Sequence, residues 1–152
     1  MAEISLAKQE TKAKEYLRYI QQAQKALTLA QQRRTETRET IDGLRAICYD
    51  NEGKASTHTT GDARMLEIVE RLDRAEQAVQ DKAQDYVDTL EEWHAIGANI
   101  EPYAYELLDA HYMQGVSWEQ LAHRLNIAER TVYRERVMAL SELYSALPPA
   151  WQ

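Results

Sequence analysis

Apolar and small residues recur along the first third of the chain at alternating spacings of three and four. Ala13, Tyr16, Ile20, Ala23, Leu27, Ala30, Ile41 and Leu44 fall on one stripe, the signature of a helix with a heptad seam. No Pro and only Gly43 occur between residues 3 and 47, so one helix of roughly 65 Å is expected. Arg34 and Thr37 are its polar breaks. A second seam runs through Met65, Val69, Leu72, Glu76, Val79, Ala83, Tyr86, Leu90 and Trp93. Between the two, CYDNEGKASTHTTGD loses periodicity and gathers turn residues. It predicts a loop at about 48–61, with Thr60 or Asp62 capping the second helix.

Each long helix needs somewhere to bury its stripe, so the pair is expected to form an antiparallel helical hairpin, a coiled coil, over residues 1–98. A reversal at the middle of the loop sets Ile41 opposite Val69, Leu27 opposite Ala83 and Ile20 opposite Leu90. It also sets Arg34 opposite Glu76, and an ion pair there would fix the register.

Residues 99–152 read differently. The second seam stops at Gly97-Ala98-Asn99, and Pro102 suits the first turn of a new helix with Tyr105, Leu108 and Tyr112 on one face. Gly115 supplies a turn. Ser117 opens SWEQ, an S-x-x-Q capping box, and Leu121, Ala122 and Leu125 give the short helix after it an apolar face. Ala122 is small where two helices would cross. Asn126, four residues on, suits a left-handed turn; Ile127 follows, and Val132 lies five residues beyond that. Small, left-handed, apolar and β-branched residues at these offsets predict a helix-turn-helix from Ser117 to about Leu143. With Val132 pointing inward, Ala139 and Leu143 point the same way and Arg130, Arg134 and Val137 point out. Thr131 and Tyr133 flank them. Two arginines near the start of the second helix suit entry into the major groove and bidentate contact with guanine. Arg136 falls near the inward edge, where pairing with an acid is expected. Ser117 and Gln120 are expected to anchor the motif on phosphates. The chain is therefore read as all-α: a hairpin over 1–98 and a three-helix DNA-binding domain over 99–152.

Composition changes the picture in one respect. The formal net charge is −7, which argues at first against nucleic acid. Counted by segment, residues 1–47 carry +3, residues 48–100 carry −7 and residues 101–152 carry −3, so the acidity is concentrated in the middle. Five Gly, three Pro and no Phe fit a helical chain. No apolar run is long enough to span a membrane, MAEISLAKQE lacks the apolar core of a secretion signal, and a single cysteine, Cys48, fits a reducing cytoplasm. His58, His94, His111 and His123 lack zinc-type spacing. Trp118 is expected in core or domain-interface packing, and His123 on the surface, within reach of a phosphate. No phosphate-binding Gly loop and no nucleophile motif occurs. No cofactor, no metal and no enzymatic activity are expected.

The stretch EPYAYELLDAHYMQGVSWEQLAHRLNIAERTVYRERVMAL resembles the C-terminal part of phage late-gene transcriptional activators of the ArpU/RinA type, and the promoter-reading helix-turn-helix of bacterial sigma factors. The likeness is strongest over Leu108–Leu140, in GVSWEQLAHRL and RTVYR. More loosely, the hairpin is similar to that family's N-terminal region. The resemblance implies a bacteriophage or prophage protein in the cytoplasm of a bacterial host, switching on late genes at a promoter. It makes Arg130, Thr131, Tyr133 and Arg134 the DNA-reading positions. One residue departs from the pattern: Glu135 stands where such motifs place an apolar residue. Either the second helix is rotated slightly, or Glu135 pairs with a neighbour such as Arg136.

Two functions follow from different classes. In the first, the chain is a sequence-specific regulator of double-stranded DNA, acting as a homo-oligomer, with the hairpin serving dimerisation or contact with bacterial RNA polymerase. In the second, the hairpin is a protein-interaction module, as in a phage DNA-packaging adaptor of small-terminase type, and the helix-turn-helix is only a compact fold.

Overall fold

The computed structural model describes residues 4–50 and 58–152; for residues 48–50 and 58–62 it describes the backbone alone. The described residues hold five α-helices and no strand: α1 (Leu6–Asp50), α2 (His58–Gly97), α3 (Pro102–Leu108), α4 (Trp118–Leu125) and α5 (Glu129–Ala146). The expected all-α class is the observed one. Helix α1 continues to Asp50 and α2 begins at His58, so the helices take in both ends of the segment expected as loop. What remains of that loop, and the side chains of Thr60 and Asp62 expected as caps, lie outside the described residues.

The first seam is buried or half-buried at every expected position, with Ala13, Tyr16 and Ile20 fully inaccessible. Its polar break is tolerated because the Thr37 hydroxyl donates to the Arg33 carbonyl at 2.9 Å, one of several Thr side chains in α1 that bond back one turn. The second seam follows the expected stripe over most of its length and drifts at its start. There Ile68 is buried and Val69, expected to face the partner helix, is 39% exposed. A straight helix turns by 3.6 residues, so a stripe spaced at 3.5 must slide to a neighbouring position.

The chain divides into two compact units that do not follow a boundary at residue 98: residues 23–86 form one, and residues 1–22 with 87–152 form the other. In the unit of residues 23–86, Ala30 and Ile41 of α1 and Ile68 and Val79 of α2 are buried. The Arg34–Glu76 pair is not formed. Glu76 instead binds Arg38 at 2.8 Å, one helical turn along α1. Both partners of that bridge are about half exposed (53% and 40%), so the pair keeps its hydration, whereas Arg34 has a buried Nε that finds no hydrogen-bond acceptor.

The other unit is built around one apolar core. Tyr16, Leu17 and Ile20 of α1 and Trp93 and Ile96 of α2 share it with Leu107 and Leu108 of α3, Leu121 of α4 and Leu140 and Leu143 of α5. The aromatic residues set its geometry. Tyr16 meets Trp151 edge-on at 5.3 Å, and Trp93 lies 5.1 Å from the Tyr105 ring. The Trp93 indole N–H donates to Asp109 Oδ1 at 2.9 Å.

That bond sits where α3 widens into a π-helical turn over Asp109–Met113, closed by a bond from the Gln114 N–H to the Asp109 carbonyl at 3.1 Å. The helix expected through PYAYELLDAHYMQG thus exists in two pitches. Gly115, at φ +73°, ends it in a conformation open to glycine. Gln21 of α1 donates to the Tyr112 carbonyl at 3.1 Å, tying the first helix to the same turn.

Two outcomes test this arrangement. A fragment of residues 99–152 lacks the α1 and α2 share of the core, and its circular dichroism should show no cooperative thermal transition. Gly97→Ala would drive a methyl into the Tyr105 ring, which is held by Trp93 and by a 2.7 Å hydrogen bond with His94. It should cost about 1–3 kcal/mol in denaturant titration, and adding Tyr105→Ala should make the Gly97 change nearly neutral.

Candidate nucleic-acid interface

Helix α4 starts at the expected capping box. Ser117 Oγ accepts from the Gln120 N–H at 3.2 Å, and Gln120 Oε1 accepts from the Ser117 N–H at 3.3 Å. The reciprocal pair satisfies two donors that a helix start otherwise leaves open. Both side chains remain exposed, so each keeps capacity toward solvent or a phosphate. At the other end Asn126 takes φ 53° and ψ 45°, the expected left-handed position. The chain turns there, with the Ile127 N–H bonded to the Ala122 carbonyl at 3.0 Å. Ala122 is buried as expected, Ile127 is half-buried, and Leu125, expected on the apolar face, is 40% exposed. Leu125 is the last residue of α4, beyond the part of the helix that meets the core.

Helix α5 then faces the core as expected: Val132 and Leu143 are fully buried and Ala139 nearly so. Arg130 and Arg134 are exposed on the opposite side, and neither joins an ion pair among the described residues. Tyr133 is 44% exposed, and Thr131 is half-buried. The helix-turn-helix therefore brings Arg130, Thr131, Tyr133 and Arg134 onto the first two turns of α5, with Ser117 and Gln120 at the start of α4. Glu129 opens α5, where a carboxylate favours the helix dipole.

Glu135 does not pair with Arg136. Its carboxylate accepts a hydrogen bond from the Tyr103 hydroxyl of α3. Burial, reinforced by that carboxylate, pushes the Tyr103 hydroxyl up to about 12. The departure from the usual apolar residue is thus met by an acceptor–donor pair between α5 and α3, which leaves the outward register of the arginines intact.

Arg136 does pair with an acid. Its Nη2 lies 3.0 Å from Glu10 Oε1, and its guanidinium sits 5.7 Å from the Trp118 ring centroid and 5.9 Å from that of Tyr133, within range of cation–π attraction. Trp118 is half-buried and stacks on His111 at 3.9 Å and 19°. The His111 Nδ1 bonds the Val116 carbonyl at 2.7 Å, and burial holds the ring's pKa below its ordinary value against that bond, with Arg136 acting in the same direction as burial. His123 is exposed. No cluster of potential metal ligands occurs among the described residues.

Sequence spacing could not find Glu10, 126 residues from its partner, or Tyr103, 32 residues from Glu135. Only the class of partner expected for Arg136 was legible. The arrangement provides an exposed pair of guanidiniums on a rigid helix, flanked by hydroxyl and amide groups. It can lie in a groove and donate hydrogen bonds to base edges and phosphates.

Asn126→Gly should leave thermal stability within a few tenths of a kcal/mol, whereas Asn126→Ala should cost about 1 kcal/mol because a side chain with Cβ resists the left-handed turn. Glu10 is held below the ordinary value of 4.5 by hydrogen bonds from Lys14 and then Arg136. Its contribution is therefore complete above that ordinary value and is lost as pH falls through the lower folded-state value. In urea melts across acid pH, the stability gap between the native chain and Glu10→Gln should close in that window.

Residues 16–147, most of the chain and all of its helix-turn-helix, match the family model described as ECF sigma factor. No curated protein and no solved structure matches the chain. No helix among the described residues is long and apolar enough to cross a membrane. The match covers the core that unites α1, α2 and the helix-turn-helix, and the chain belongs to the ECF sigma factor family, a sigma-like, DNA-binding regulator.

Proposed function

We propose that the chain is a sequence-specific regulator of the phage or prophage late-gene activator type, reading promoter DNA with α4 and α5. One observation carries the reading: Arg130 and Arg134 stand exposed, with no ion-pair partner among the described residues, on one face at the start of α5, behind a buried Val132 and a left-handed Asn126. Guanidiniums so placed suit bidentate contact with guanine in the major groove, with Thr131 and Tyr133 contacting neighbouring positions. Ser117 and Gln120 at the start of α4 suit the phosphates that flank the groove.

The family membership supports contact with RNA polymerase as well as DNA. A single motif of this size offers little interface, so two copies on a repeated or palindromic site are part of the reading. The acidity of residues 48–100, net −7, repels phosphate and leaves attraction to local cations such as those of α5. The chain performs no chemistry of its own in this scheme and needs no cofactor. The resemblance over Leu108–Leu140 supports late genes as the target.

Arg130→Ala combined with Arg134→Ala should lower affinity for the selected site at least about thirtyfold in fluorescence anisotropy, since each bidentate arginine contributes about 1–3 kcal/mol of discrimination. Helix content and oligomeric state should not change. Undiminished specific binding by that variant would sink the assignment of the reading face. Run-off transcription from the promoter ahead of packaging genes, with host polymerase, should rise when the native chain is added; no rise would remove the late-gene role.

A further inference from the structure

Among the described residues, Glu10 is the one carboxylate that meets two cations beside the reading helix. Its Oε1 lies 2.7 Å from Lys14 Nζ and 3.0 Å from Arg136 Nη2, and its side chain is only 21% exposed. The contact is held in place by a neighbour, because the Ser141 hydroxyl of α5 donates to Gln9 Oε1 at 2.8 Å. Arg136 in turn touches both parts of the helix-turn-helix: Trp118, the first residue of α4, and Tyr133, one of the reading positions. Tyr133 lies between Arg130 and Arg134 in sequence, so whatever fixes its ring also shapes the surface those arginines present.

Two consequences follow from electrostatics. A cation bound to a nearby carboxylate is a poor partner for a phosphate, because forming the new contact means giving up the old one. A cation next to a reading helix that is not so bound adds sequence-independent affinity, since neutralising a phosphate releases counterions whatever the bases are. Specificity is a ratio of affinities, and blocking the non-specific complex raises it as effectively as improving the specific one. The Glu10 carboxylate is ionised at neutral pH, as any glutamate near its ordinary value is, and the same two cations favour that charged form further.

We propose that Glu10 is a specificity-determining residue for DNA reading: its carboxylate masks Lys14 and Arg136 from phosphates and holds Arg136 against Tyr133 as a positioning residue. The inference rests on the DNA-reading function proposed above. It assigns α1, outside the helix-turn-helix, a part in choosing DNA.

Three proteins test it: the native chain, Glu10→Gln and Lys14→Gln, each titrated with the selected duplex and with a scrambled duplex over a range of salt. For Glu10→Gln, binding to scrambled duplex should tighten about five- to tenfold near 0.1 M salt, and its log–log salt slope should steepen by about 0.9 for each phosphate newly contacted. The ratio of specific to scrambled affinity should fall at least about fivefold, as Tyr133 loses its support. Adding Arg136→Met to Glu10→Gln should return the slope toward the native value. Lys14→Gln should leave both affinities and the slope within about twofold of native, because a masked lysine contributes no phosphate contact.

If both affinities of Glu10→Gln fall together with an unchanged slope, the carboxylate is merely structural and the proposal is overturned. A slope lowered by about one in Lys14→Gln would overturn it too, and this variant decides the matter if Glu10→Gln does not fold. A native chain that shows no preference between the duplexes would instead contradict the DNA-reading function itself.

Discussion

The helix-turn-helix depends on a core it does not own. Its inward residues, Leu121, Ala139, Leu140 and Leu143, are buried against a cluster that includes Tyr16, Leu17 and Ile20 from the start of α1 and Trp93 and Ile96 from the end of α2. Three short helices bury too little apolar surface to hold a unique fold easily, and here the two long helices supply the missing part. The outward face of α5 inherits its precision from that shared interior. Val132 is fully buried and sets the inward side of the first turns of α5, which leaves Arg130 and Arg134 on the exposed side.

Polar contacts then refine what the core fixes. Trp93 donates to Asp109 where α3 loosens into a π turn, Glu135 accepts from Tyr103, and Arg136 bridges α5 to Glu10 of α1. Each of these ties an element near the reading surface to another element of the same unit. A helix resting on apolar contacts alone would slide by fractions of a turn at little cost. A hydrogen bond or ion pair with defined geometry penalises such sliding.

What could be read from the chain was what depends on local spacing. The seam of α1, the capping box at Ser117, the left-handed Asn126 and the inward face of α5 all follow from offsets of three, four or five residues, and all appear in the structure; on the outward face Arg130 and Arg134 are exposed as expected and Val137 is half-buried. Contacts between distant segments could be read only in kind. Arg136 had the position of a residue in need of an acid, but which acid depended on how α1 crosses α5. Glu76 took Arg38 in place of Arg34 because register over a long hairpin accumulates small departures from an ideal repeat. The compact units could not be read at all, since heptad periodicity runs straight through residues 22 and 87 while the packing divides there. Net charge misled because an average over the chain conceals two arginines exposed on one helix face.

Sequence-specific reading by α5 is tested most directly by selecting duplexes from a random pool with the intact chain at moderate salt and sequencing the bound fraction. The bound fraction should be enriched in a short motif that contains guanine, occurring as two half-sites at a fixed spacing. A bound pool with the composition of the starting one would contradict it.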